Sequence, residues 1–229
     1  MSAVDFLTAA GDVVRRVSAE QEGPIRQAGL AVAEALRDEH RVIAFGTGHS
    51  HMIAEELFMR AGGLSGVEAV LEPALMLHEG ALKSSLLERL PGYAAALVEN
   101  AAIGPRDVVV VASNSGRNAV PVEFAEECKR RGPAVVAITS LSHSRSFPSR
   151  AASGRKLFEI ADIVVDNCGV PGDALLSVPG TQIRAGATST IAGALIAQAI
   201  VAEAAALLAS WGIEPSLLVS NNVDEWGES

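Results

Sequence analysis

The sequence predicts an α/β protein with a doubly wound, flavodoxin-like parallel sheet of five strands and flanking helices. Three observations predict it. Short apolar, β-branched runs alternate with helical periodicity about five times, the pattern of βαβ units. Ala, Val, Ile and Leu dominate a chain that is 49% apolar but only 4% aromatic, which suits a parallel sheet under alanine-rich helices better than a β-sandwich. Polar clusters fall at the carboxyl ends of successive strands, where open α/β sheets bind ligands.

The 229 residues read as one domain: a helical leader over 1–38, a sheet-and-helix core over 40–210 and a tail over 212–229. The leader is two helical segments separated at Gly23, with Pro24 suited to the first turn of the second. Val42 to Phe45 is the first strand. The Gly46-Thr47-Gly48-His49-Ser50 turn follows, then a helix to about Ala61, ended by the Gly62 to Gly66 breaker cluster. Val67 to Leu71 is a second strand with Glu72-Pro73 at its end. Residues 74–90 are hard to assign; they carry His78-Glu79-Gly80 and then a helical run up to Pro91. A helix over Tyr93 to Ala102 precedes the clearest strand, Val108 to Ala112, a continuous run expected to be buried on both faces. A helix over Ala119 to Arg131 and a strand over Ala134 to Thr139 come next. Residues 141–157, polar and basic, predict a loop or short irregular helix. Ile163 to Val165 is the last strand, Gly169 to Gly186 a long connection, and Thr188 to Ser210 the terminal helix.

Charge and composition exclude several classes. A net charge of −9 with no Lys/Arg block argues against nucleic acid as a partner, because phosphate backbones need concentrated basic surface. Cys128 and Cys168 lie far apart without metal-type spacing and read as packing residues in a reducing compartment. Met1 to Phe6 lacks a basic stretch followed by an apolar core, so the expectation is a cytoplasmic protein. The apolar stretch Ala185 to Ala209 contains Thr188, Ser189, Thr190, Gln198 and Glu203 and no basic girdle. It reads as a buried core helix, not a membrane span.

Several clusters could carry chemistry. The turn Thr47, Gly48, His49, Ser50 brings free backbone N–H groups and a helix start beside a ligand. It is half of a dinucleotide fingerprint, with His51 where the third glycine belongs and Glu68 or Glu72 near the ribose-acid spacing. Ser113, Asn114, Ser115, Gly116, Arg117 and Asn118 make a donor-rich cradle that can ring a phosphate without lysine, Arg117 adding a charge-assisted bond. The same residues also fit a plain helix cap. Thr139 and Ser140 close the next strand. His49-x-His51 has metal-like composition but no third ligand, so neither metal nor other cofactor is expected. His78-Glu79 fits a structural pair as well as a functional one.

These residues resemble the SIS (sugar isomerase) domain family from about residue 30 to 210. Gly46 to Ser50 is similar to that family's first ligand loop, Ser113 to Gly116 to its S-x-S-G phosphate loop, and Ala187-Thr188-Ser189-Thr190 to the start of its terminal helix. Glu56-Leu57-Phe58-Met59-Arg60 resembles the E-L-x-x-R of the phosphoheptose isomerase branch, whose Glu takes a substrate proton, with about one helical turn fewer before it. The resemblance implies Glu56 as base with Glu55 as alternate, and Glu72 as the acidic residue after the second strand. Two differences stand out. Asn118 replaces a Ser/Thr of the phosphate loop, and no histidine occurs in residues 180–200, leaving His49, His51 or His78 as the acid.

The resemblance implies a small phosphorylated sugar as ligand and removal of the proton at C2. It also implies a homodimer or higher homo-oligomer, with the site at the interface and the leader and terminal helix suited to forming it. Elimination or dehydration of N-acetylglucosamine 6-phosphate, or a related N-acetylhexosamine 6-phosphate, fits the acid-rich set Glu55, Glu56, Glu72 and Glu79. Aldose–ketose isomerisation is the alternative, and a non-catalytic phosphosugar sensor the third reading.

Overall fold

Two helices lead into the strand–helix alternation: α1 (Ala3–Glu20) and α2 (Glu22–Arg37). The computed structural model describes residues 1–220 and 222. The core follows as β1 (Val42–Gly46), α3 (His51–Leu57), β2 (Val67–Val70), α4 (Ala81–Leu87), α5 (Tyr93–Asn100), β3 (Val108–Ala112), α6 (Ala119–Arg131) and β4 (Ala134–Thr139). After these come α7 (Leu141–Ser146), α8 (Leu157–Ile160), β5 (Ile163–Asp166), β6 (Ala174–Ser177), β7 (Arg184–Ala187) and α9 (Ser189–Ser210).

Strands β1 to β5 form one parallel sheet in the order β2-β1-β3-β4-β5, the doubly wound arrangement expected. Every residue of β1 and β3 is buried, and alternate side chains serve opposite cores. Val42, Ala44, Val108 and Val110 pack with α2, α3 and α9. Ile43, Phe45, Val109 and Val111 pack with α5, α6 and α8, where Phe45 stacks on Phe124 with ring centroids 3.9 Å apart. The chain leaves β1 toward the first layer and leaves β3 toward the second. Their loops therefore diverge, and a crevice opens at this switch point.

Helix α9 is long and apolar enough to cross a membrane, with a mean hydropathy of 2.0 over its most apolar stretch. In the fold it is the core helix of the first layer, burying Ala192, Ile196, Ile200, Ala204 and Leu208. Close approach depends on glycine. A Cβ on Gly29 of α2 would stand 2.6 Å from the Glu203 Cγ, and one on Gly193 would stand 2.8 Å from the Ile53 Cδ1.

Three local expectations, on the α1–α2 break, the end of α3 and the 169–186 connection, need correction. The break between α1 and α2 is at Gln21, one residue before a helix that accommodates Gly23 and Pro24 in its first turn. α3 stops at Leu57, where Phe58 turns extended and Met59 takes a positive φ of 48°. Residues 74–90 resolve into a 3-10 turn at Pro73–Leu75 and α4. The connection over 169–186 contains an antiparallel hairpin, β6 with β7, whose strands are too short for alternation to show in sequence. The tail's first part folds back on its own chain: Gly62 N donates to Leu218 O at 2.8 Å, and Leu218 N to Gly63 O at 2.8 Å. The acidic end of the tail lies outside the described residues.

The turn after β1 tolerates only glycine at its first position, because a Cβ on Gly46 would sit 2.3 Å from the Ser50 carbonyl oxygen. Backbone, unlike a side-chain tip, has nowhere to go. Gly46→Ala is expected to cost about 2–4 kcal/mol, the range of severe overpacking. Urea unfolding measures it, and a loss below about 0.5 kcal/mol would show that the turn relaxes freely.

Candidate functional site

The crevice at the switch point is a cleft of about 280 Å³. Thr47, Gly48, His49 and Ser50 enter it from the β1 loop, and Ser113, Asn114, Ser115 and Asn118 from the β3 loop. Ser84, Ser85 and Glu88 close it from α4 and its C-terminal cap. His143 of α7, Asp173 before β6 and Ser189 of α9 form the far wall. A recess of about 10 Å³ continues inward past Asn167 and Thr190, room for about one water molecule.

Glu88 ties the two ligand loops together. Thr47 Oγ1 donates to one carboxylate oxygen at 3.0 Å, and Asn118 Nδ2 to the other at 2.8 Å. The Glu88 carbonyl accepts from Val120 N at 3.0 Å, so the same residue also grips the first turn of α6. The far side of the Asn118 amide accepts from Arg150 Nη1 at 2.9 Å. Asn118 thus does not cap its helix with its side chain; the amide is spent orienting Glu88. A carboxylate has about four acceptor positions, so two donors leave it able to accept a substrate proton.

The β3 loop is folded by its own first residue: Ser113 Oγ accepts from Gly116 N at 3.1 Å. Gly116 has φ +55°, and a Cβ there would lie 3.0 Å from the Thr139 Oγ1 and 3.2 Å from the Ser144 Oγ. Asn114 is held from the neighbouring strands. Its carbonyl accepts from Ser140 N at 3.1 Å and Thr139 Oγ1 at 3.4 Å, and its Oδ1 from Asn167 Nδ2 at 2.9 Å. The loop that reaches the cleft is therefore fixed from three strands at the N-terminus of α6, the arrangement that favours an anion.

On the far wall, Gly172 N donates to His143 Nδ1 at 2.8 Å, which requires that nitrogen to be unprotonated and puts the neutral ring's proton on Nε2. Burial, reinforced by the Arg117 charge and opposed by Asp173, holds the His143 pKa below the ordinary histidine value. Asp173 Oδ1 accepts from Thr188 N and Ser189 N at 3.0 and 2.9 Å, and Oδ2 from Ser189 Oγ at 2.6 Å. This carboxylate occupies the N-terminus of α9.

Of the residues singled out in the sequence, the structure brings Thr47, Gly48, His49, Ser50, Ser113, Asn114, Ser115 and Asn118 together in the cleft. Gly116, Thr139 and Ser140 support it from beneath. Arg117 lies outside, donating from Nε to Pro148 O at 2.8 Å with its guanidinium over Phe147. None of the four expected carboxylates lines the cleft. Glu56 faces α9, accepting from Gln198 Nε2 and Arg60 Nε, each at 2.9 Å, while Glu55 is exposed and lies 3.7 Å from His51 Nε2. Glu72 caps the Pro73–Leu75 turn and stands beside Tyr93. Glu79 pairs with Lys83 at 2.6 Å on the surface, and this hydrogen bond holds its carboxyl below the usual range. His78 is exposed, and His51 Nδ1 turns back to the Gly48 carbonyl.

Glu88, His143, Asn167 and Asp173 were missed. Glu88 falls in the helical run read up to Pro91, and His143 in a segment read as a loop or short irregular helix. The one available signal was position: both follow an element adjoining a ligand loop.

The family model described as SIS domain matches residues 5–140. Among curated proteins, a UPF0309 protein of Halalkalibacterium halodurans is 43% identical over 97% of this chain and 92% of its own. A UPF0309 protein of Geobacillus kaustophilus is 44% identical over 91% and 83%. Among solved structures, a phosphoheptose isomerase from Francisella tularensis superposes with TM-score 0.60 at 17% identity, over 89% of this chain and 98% of its own. The Vibrio vulnificus NanR protein complexed with ManNAc-6P superposes with TM-score 0.51 at 18% identity, over 90% and 62%.

The His143 geometry sets a pH dependence. The unfolded chain takes up the proton near the ordinary value of about 6.5, whereas the folded protein takes it up only at lower pH. The contribution to stability is therefore complete above about pH 6.5 and is lost as the pH falls through the folded value. Thermal midpoints measured from pH 7.5 to 5 should fall more steeply for the wild type than for His143→Gln. Parallel curves would reject a neutral His143.

Proposed function

We propose that this chain, which belongs to the SIS domain family, is a phosphosugar isomerase that moves a proton at C2 of its substrate. The observation that carries this reading is Glu88, a carboxylate oriented by Thr47 and Asn118 in the same cleft as the Ser113–Gly116 loop and the Nε2 of His143. The phosphate binds at that loop and the N-terminus of α6. Glu88 takes the C2 proton, the C–H electron pair forms the C1–C2 double bond, and the carbonyl oxygen receives a proton from His143 Nε2. Return of the proton to C1, with loss of the O2 proton to His143, completes an aldose–ketose isomerisation.

Elimination is the second reading. The same first step followed by departure of the C3 substituent is a lyase or dehydratase reaction, and the NanR complex with ManNAc-6P supports an N-acetylhexosamine 6-phosphate as its substrate. Ile191 and Leu195, exposed on the otherwise core-forming α9, support a second copy packing there. Sedimentation should show a dimer that Leu195→Glu converts to monomer; a wild-type monomer at tens of micromolar would end that part of the reading.

Incubation with N-acetylglucosamine 6-phosphate or fructose 6-phosphate in D₂O tests the chemistry. Deuterium is expected to enter the substrate at the exchanging carbon, and Glu88→Gln to slow this by about 10²–10⁴-fold, the usual contribution of a positioned base. A ketose or aldose product marks isomerisation, and an ultraviolet-absorbing unsaturated product marks elimination. Ligand-induced rise of the thermal midpoint with no exchange would replace both readings by a sensor.

A further inference from the structure

Half of the cations on this acidic chain are neutralised locally. Of its 18 Lys and Arg residues, nine form ion pairs with carboxylates among the described residues. Of the other nine, Arg145, Arg150, Arg155 and Lys156 lie in the segment that hydrogen-bonds to Gly116 and Arg117 just before α6, and Arg117 and Arg89 adjoin Asn118 and Glu88 in sequence. Two of these are organised around a cleft residue, and a third adjoins Glu88 in sequence. Arg150 Nη1 donates to the Asn118 Oδ1 at 2.9 Å, and Arg150 N to the Arg117 carbonyl at 2.8 Å. Arg117 is fixed by its Nε bond to Pro148 O and by Phe147, 5.4 Å from its guanidinium carbon, which leaves both terminal nitrogens for other partners. Arg89 directly follows Glu88, on the other side of the Asn118 amide. The three charges feel one another: burial first, then Arg150 and Arg89, hold the Arg117 pKa below the ordinary arginine value.

Like charges held together by hydrogen bonds to neutral groups repel, and a bound anion removes that cost. We propose that Arg89, Arg117 and Arg150 form a second anion subsite at the lip of the cleft, for a phosphoryl group other than the one at Ser113–Gly116. The subsite rests on the proposed function for its relation to a sugar but not for its existence. Its chemistry is that of a tetrahedral dianion. Guanidinium forks match phosphate oxygens in pairs, and the hydrogen bonds of Arg150 to Asn118 and to the Arg117 carbonyl hold two of them at one short corner. Nucleic acid needs a longer basic track than this. The second phosphoryl group comes either from a sugar bisphosphate spanning both subsites or from free phosphate acting as an effector.

Calorimetric titration distinguishes these sources. The probes are N-acetylglucosamine 6-phosphate, its 4,6-bisphosphate, which keeps C1 free to open, and inorganic phosphate, the last added to protein both alone and saturated with the monophosphate. The proteins are the wild type, Arg89→Gln, Arg117→Gln and Arg117→Lys, each checked for an unchanged thermal midpoint. A substrate source predicts that the bisphosphate binds at least about tenfold tighter than the monophosphate, that Arg89→Gln and Arg117→Gln remove the difference, and that Arg117→Lys keeps part of it. An effector source predicts one equivalent of phosphate bound to the monophosphate complex, lost in the glutamine variants. Equal binding of mono- and bisphosphate together with no second phosphate event overturns the subsite. Failure of every sugar phosphate to bind while phosphate still binds through Arg89 and Arg117 overturns the phosphosugar reading and leaves the subsite standing.

Discussion

One carboxylate holds the ligand loops of this protein in register. Glu88 accepts from Thr47 on one side and Asn118 on the other, and its backbone carbonyl takes an amide of α6. The β1 and β3 loops diverge because their helices pass to opposite faces of the sheet, so no ladder hydrogen bond spans the crevice between them. A charge-assisted bond to each loop, stronger than a neutral one, does. Arg150 on the distal side of Asn118 fixes which way the amide faces. Donor and acceptor assignments across this chain are therefore mutually determined, from Arg150 through Asn118 to Glu88 and Thr47.

That arrangement has a precondition in the core. Strands β1 and β3 must lie side by side and be buried on both faces, and the sequence supplies this with small and β-branched residues. Gly46 and Gly116 then let the chain leave each strand at once: one avoids a collision with its own loop backbone, the other adopts a left-handed φ against Thr139 and Ser144. Both ligand loops are thus consequences of strand composition plus one glycine each.

This is why half of the site was legible and half was not. β1, β3, α6 and the loops at Thr47–Ser50 and Ser113–Asn118 follow from local signals: β-branched runs, glycine turns and the onset of helical period. Glu88 and His143 have no such signal. Glu88 is placed by a contact with Val120, 32 positions away, and His143 by the amide of Gly172 from the segment before the hairpin. The carboxylates favoured from sequence had the opposite fault. Glu55 and Glu56 sit next to a legible loop, yet α3 directs them to His51, Gln198 and Arg60. Proximity along the chain said nothing about which side of a short helix faces the crevice. The β6–β7 hairpin was invisible for a related reason: four-residue strands give too few alternations to register as a period.

Two helices of eight or more residues, α6 and α9, begin at the cleft, and each carries a partial positive charge there. Asp173 has already answered the second of these. Its three hydrogen bonds at the head of α9 make it the resident partner of that end, as Glu88 is of the α6 end through Asn118 and Val120. Each positive helix end at the cleft is thereby met by a carboxylate of the chain's own, one held by two loops and the other by the head of α9.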